Sequence, residues 1–144
     1  MNQKILAAIS VAFAAGLLLA ATPSAYAHVK EACTPGYWKN NSDGTYDDVN
    51  LQQYFIDNYG IDLGSSANIT LAEAVALKGG PQNAFLRYAG AVAYSELTGL
   101  SVYSPWVEFA LDKFDDGKLS EAVEKFERLF GESTCPINAF GIRT

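Results

Sequence analysis

The sequence contains a single histidine, His28, and that scarcity removes whole classes of chemistry. Ser-His-Asp and Cys-His nucleophilic catalysis need an imidazole held in place as base, and here it would have to come from the start of the exported chain. Basic residues are also few, ten Lys and Arg against sixteen Asp and Glu, and they form no cluster. An acidic balance without a basic patch argues against nucleic acid and against anionic membrane surfaces as partners. There are only two cysteines, Cys33 and Cys135, with no CxxC spacing and no neighbouring histidine, which speaks against a thiolate metal site or a redox dithiol. Internal repeats, low-complexity tracts and linkers are missing as well, so the chain reads as one domain.

The longest apolar run lies at the start. Lys4 precedes an uncharged stretch from Ile5 to Ala21, and Ala25-Tyr26-Ala27 supplies a small-x-small cleavage pattern. The run approaches the length of a membrane anchor, but Pro23 and the small residues before His28 favour cleavage. Residues 1–27 are therefore expected to be a signal peptide and 28–144 a single secreted helical domain, periplasmic or extracellular. No later segment is apolar enough to span a bilayer, and no C-terminal lipid signal is present. Without Lys4 the nine remaining basic residues face sixteen acidic ones, a formal charge of −7. Two cysteines in an exported chain predict one disulfide, Cys33–Cys135. Closing a loop of that length stabilises a fold by about 4–5 kcal/mol in the chain-entropy account.

Periodicity predicts an all-α domain, an orthogonal or bundle-like cluster of about five helices closed by that disulfide. Pro35-Gly36 reads as a turn that lays Tyr37 and Trp38 onto the core. The first helix carries Leu51, Tyr54, Phe55 and Tyr59 on one side, with Asp47 or Asp48 as cap and Gly60 as stop. Thr70-Leu71-Ala72-Glu73 is a capping box opening a short second helix that Gly79-Gly80 stops. The third runs from Pro81 to Leu97, apolar nearly all round, and belongs at the centre; Gly90 within it is expected to admit a close neighbour. Ser104-Pro105 starts the fourth. The fifth follows Asp115-Asp116-Gly117, with Glu121–Lys125 and Glu124–Arg128 at i, i+4 spacing and Gly131 as its end. Gly99–Tyr103 is the one stretch with a strand-like pattern.

Cys33-x-Pro35-Gly36-x-Trp38-Lys39-Asn40, with Cys135-Pro136-Ile137 near the other end, resembles a family of secreted bacterial and archaeal domains. These carry C-[TS]-P-G-[YF]-W-K-N-H at the start and C-P-[LI] at the end. Phe85-Leu86-Arg87-Tyr88-Ala89 is similar to that family's L-L-R-H-A helix. The resemblance implies a lone secreted protein or a cell-surface module, with no established activity attached. Asn41 and Tyr88 stand where the family has histidine, so any contact made by those histidines is lost here.

A cleaved chain would begin with His28, as in the copper brace of oxidative polysaccharide enzymes, but that brace needs a second histidine; His28 reads as a terminal residue. Calcium has a partial loop, Asp112-x-x-Asp115-Asp116-Gly117, in which Phe114 and Val123 occupy ligand positions, and a second fragment at Asp43. Paired carboxylates such as Asp47/Asp48 and Asp115/Asp116 are the only route left to a hydrolase. Trp38 is expected in the core beside the disulfide, whereas Tyr37, Tyr46, Tyr54 and Tyr103 are candidates for surface contact with a protein or glycan. Arg87 is expected to serve as a buried hydrogen-bond hub rather than a pocket lid. Asn40 and Asn68 sit in glycosylation sequons. Together these features predict an exported, non-enzymatic structural or partner-binding domain with no resident cofactor. A carboxylate hydrolase and a calcium- or copper-binding protein are the alternatives.

Overall fold

The structure, a computed structural model, describes residues 30–137; the expected signal peptide and His28 lie outside the described residues. Six α-helices appear in that span: α1 Pro35–Asn41, α2 Leu51–Tyr59, α3 Leu71–Val75, α4 Pro81–Leu97, α5 Ser104–Asp115 and α6 Leu119–Glu132. A 3₁₀ turn, Ser65–Ala67, lies between α2 and α3. Two isolated bridges join Glu31 with Thr134 and Asn50 with Thr70.

Helix α4 is the centre of the cluster. It packs against α1, α2, α3 and α6, while α5 and α6 form an antiparallel hairpin over its far side. Nine of its residues are buried, from Phe85 to Ser95, because apolar and small side chains run around the whole helix rather than along one stripe. Gly90 marks the closest approach. A Cβ built there would lie 2.9 Å from the Ala74 Cβ and 3.2 Å from a Val75 methyl, so α3 can dock on α4 only over a hydrogen.

Local signals account for most helix ends. Thr70 and Glu73 form the expected capping box in full. Gly60 ends α2 in the left-handed region at φ 66°, and the Ile61 N–H reaches back to the Phe55 carbonyl. Other ends depart from the sequence reading. Pro35-Gly36 is the first turn of a helix: Thr34 caps it by accepting the Tyr37 N–H at 3.3 Å, and proline at the first position has no donor to lose. Helix α2 is capped by Asn50, whose Oδ1 accepts from the Gln53 N–H, leaving Asp47 free for another role. Ser104 lies inside α5 after Tyr103, and α6 passes through Gly131 to Glu132. Glu121 of α6 pairs with Lys113 of α5 and Arg128 with Glu132, in place of the expected Glu121–Lys125 and Glu124–Arg128 pairs.

The two ends of the described chain meet in a clasp. Cys33 and Cys135 form the disulfide across 102 residues, with Cα atoms 4.7 Å apart. Thr134 donates to the Lys30 carbonyl and accepts from Ala32, each at 3.0 Å, and Glu31 donates to the Ser101 carbonyl at 3.0 Å. The Ser101 N–H returns to the Glu31 carboxylate at 3.0 Å. Gly99–Tyr103 thus contributes one cross-link to the clasp rather than a strand.

Candidate functional site

Three places gather polar side chains.

The first surrounds the signature helix α1. Trp38 is buried and stacks on Tyr94 with ring centroids 5.0 Å apart. Its indole N–H donates to the Ser95 Oγ at 3.3 Å, and the same oxygen accepts the backbone N–H of Cys33 at 3.1 Å. The fully buried Ser95 hydroxyl is therefore the junction between disulfide, signature and central helix. The Tyr94 hydroxyl points the other way and donates to Asp47 Oδ1 at 2.6 Å, where Ser42 Oγ also donates at 2.5 Å. Beside this chain of contacts lies a pocket of about 180 Å³, with Trp38, Lys39, Asn40, Ser42, Asp47 and Tyr94 in its lining. Pro35 is buried at the start of α1, whereas Gly36 is exposed and helical, and a Cβ there would meet only the Thr34 Oγ1, at an unstrained 3.9 Å.

The second place is a carboxylate clasp between α2 and α4. The Glu96 Oε1 accepts the Tyr54 hydroxyl at 2.6 Å, and its Oε2 accepts the Tyr59 hydroxyl. Burial pushes the Glu96 carboxyl above the usual carboxylate range, and the two hydroxyl donors pull part of the way back. Both phenols are pushed well above their ordinary range, by burial first and then by the carboxylate. Tyr54 is consequently an interior side chain and no surface contact.

The third is a groove of about 590 Å³ between the end of α2 and α5. Asp62, Glu108, Asp112 and Asp115 line it, with Tyr59 and Leu111. The backbone N–H of Gly64 and the Gln52 amide hold Asp62 below its usual carboxylate range. Of the acidic residues in the partial calcium loop, Asp112 and Asp115 face the groove and Asp116 does not. Asp43 is remote in sequence and exposed, bonded to the Thr45 N–H at 2.9 Å, which holds its carboxyl low. Among the described residues no group of three or more His, Cys, Asp and Glu side chains converges as a metal site would require.

The remaining sequence candidates fall outside these places. Tyr37, Tyr46 and Tyr103 are half-buried and packed on the core, because in so small a domain a ring is needed as filling before it can serve as a platform. Arg87 is half-buried and donates to the Leu77 carbonyl at 3.2 Å, a tie between α4 and the end of α3. Asn40 and Asn68 are both exposed. The large apolar side chains that do face solvent are Phe109, 49% exposed, and Ile56, 40% exposed. Phe109 stands edge-on to Trp106. The Trp106 indole N–H donates to Glu132 at 3.1 Å, and the Arg128 guanidinium covers the Trp106 ring at 4.7 Å. Glu132 also pairs with Lys30 at 3.0 Å, and that contact chiefly holds its carboxyl low.

Ser95, Glu96 and Asp47 are the polar side chains tied into the fold that periodicity does not single out. The available signal was the abrupt polarity of Ser95-Glu96 at the end of an otherwise apolar helix. Comparison with protein families, curated proteins and solved structures returns no match for this chain.

Proposed function

We propose that the chain is an exported, non-enzymatic domain that works at or outside the cell surface, in structure or in binding a protein or glycan partner. One observation carries this reading. Two half-buried carboxylates, Glu96 and Asp47, are each taken up by two hydroxyl donors, and the buried Glu31 carboxylate accepts the Ser101 N–H. Groups so held serve as fixed acceptors between helices rather than as a base facing substrate. The leader-like N-terminal sequence, the disulfide and the likeness of Cys33–Asn40 to a secreted family support export. The exposed Phe109 beside Trp106, rimmed by Arg128 and Glu132, supports partner contact, since aromatic and arginine side chains are favoured at interfaces.

The test is direct. Labelled protein should bind intact cells or cell-surface glycan of the producing organism saturably, and Phe109→Asp should weaken that binding without lowering the melting temperature. Absence of saturable binding would remove the reading.

A carboxylate hydrolase is the second reading, favoured by the four acidic side chains along the 590 Å³ groove. Such an enzyme needs one carboxyl held protonated near neutral pH. Glu96 has the raised affinity for a proton but is absent from the groove lining, with Tyr59 bonded to it. Glycoside hydrolysis that is lost in Glu108→Gln or Asp112→Asn would establish this reading in place of the first.

A further inference from the structure

The pocket at the signature helix has features that a partner-binding role does not use. It lies where α1, the loop before α2, α3 and α4 meet, and its apolar lining includes the stacked pair Trp38–Tyr94 and Val75. Two opposite charges share this lining, Lys39 and Asp47, yet they form no ion pair with each other. The Asp47 carboxylate is fixed in place, because Tyr94 and Ser42 both donate to its Oδ1. Its Oδ2 takes no hydrogen bond from a described residue. Asp48 adds negative potential at Tyr94, while Lys39 is exposed and supplies a cation in the last turn of α1.

We propose that this pocket binds a small zwitterion of the α-amino-acid class, its ammonium on Asp47 Oδ2 and its carboxylate on Lys39. The separation of the two protein charges is what the ligand would bridge. A simple cation would meet Lys39 as a like charge, and a simple anion would meet Asp47 and Asp48. Size sets the upper limit: 180 Å³ holds about six water-sized groups. That matches glycine or alanine and excludes amino acids with large side chains unless these project to solvent. Trp38, Lys39 and Asn40 would then be a binding wall as well as a structural signature.

The experiment uses the full exported chain and follows the indole N–H resonance of Trp38 by NMR, assigned with Trp106→Phe. Alanine and glycine should shift it saturably, and ethylamine and propionate should each bind at least about tenfold more weakly. Lys39→Met alters an exposed side chain and should leave the fold intact while cutting alanine affinity about tenfold. Asp47→Asn should do the same; should that variant fail to fold, Lys39→Met decides alone. No shift at about 10 mM alanine overturns the proposal. So does an equal response to propionate or to ethylamine, or an undiminished response in Lys39→Met.

Discussion

The indole N–H of Trp38 and the hydroxyl of Ser95 lie 3.3 Å apart across fifty-seven residues of chain, wholly inside the protein. Ser95 Oγ also accepts the Cys33 N–H, so one small side chain satisfies two buried donors next to the disulfide. Ser95→Ala should cost about 1–3 kcal/mol for each donor left without an acceptor. Trp38→Ala should cost about 3–5 kcal/mol, since it empties the space against Tyr94. Urea denaturation checks both. A loss below about 1 kcal/mol in Trp38→Ala would mean that the ring does not anchor α1.

That junction is also one that local sequence does not encode. Thr70 with Glu73, and Pro81 with the apolar run to Leu97, are local signals, so α3 and α4 were legible from neighbours a few residues apart. Pro35-Gly36 was ambiguous in itself: the same pair opens a turn or a helix, and Thr34 as a preceding cap decided for the helix. Asp47 looked like a cap because acidic residues favour helix starts, but Asn50 won that position and Asp47 went to Tyr94. The partners of Ser95, Glu96 and Asp47 lie about forty to sixty residues away or across a loop, and no periodicity encodes such pairings. The disulfide was legible despite its span of 102 residues, because with two cysteines there is only one way to join them.

Loss of the Cys33–Cys135 bond should destabilise by about 4–5 kcal/mol in the chain-entropy account. Cys33→Ser and Cys135→Ser should both be harmful, and the double variant no worse than the worse of the two, because the two positions share one interaction. Cys33 is buried and Cys135 exposed, so the polar hydroxyl of serine is the harder test at position 33. Additive losses in melting temperature would break the argument.

Gly90→Ala sets two effects against each other. Alanine improves helix propensity by about 1 kcal/mol. Against that, its Cβ would meet Ala74 Cβ at 2.9 Å, which forces α3 away from α4. Overpacking of this kind costs about 1–3 kcal/mol, so the net change should be destabilising. Pairing it with Ala74→Gly should recover part of the loss. A more stable Gly90→Ala would show that α3 yields readily.

Tyr54, Tyr59 and Tyr94 all have phenols pushed above their ordinary range, chiefly by burial. Groups with a raised folded pKa stabilise fully below the unfolded pKa, about 10 for tyrosine, and lose that contribution as pH climbs. The protein should therefore unfold on alkaline titration, with phenolate absorbance and loss of helix by circular dichroism rising together. Phenolate appearing well before helix loss would place these hydroxyls at the surface.

Glu96 gives the acid-side counterpart, and its sign is unusual for a carboxylate. The folded protein holds the Glu96 proton more tightly than the unfolded chain does, because burial penalises the charged form more than Tyr54 and Tyr59 compensate. Its contribution is then greatest below the ordinary value of 4.5 and declines as pH rises through the folded pKa. Other carboxyls act oppositely: Asp43, Asp62 and Glu132 are held low and lose stability on acidification. Comparing wild type with Glu96→Gln cancels those terms, since glutamine keeps the shape and an acceptor oxygen but cannot titrate. The groups facing this site are Tyr54 and Tyr59 of α2, with Glu108 of α5 acting on Tyr59, and they are common to both proteins. Wild type should gain stability relative to Glu96→Gln as pH falls from about 7 toward about 4.5 in urea titrations. A difference that does not change with pH would mean that the carboxylate sits in water and does not join α2 to α4.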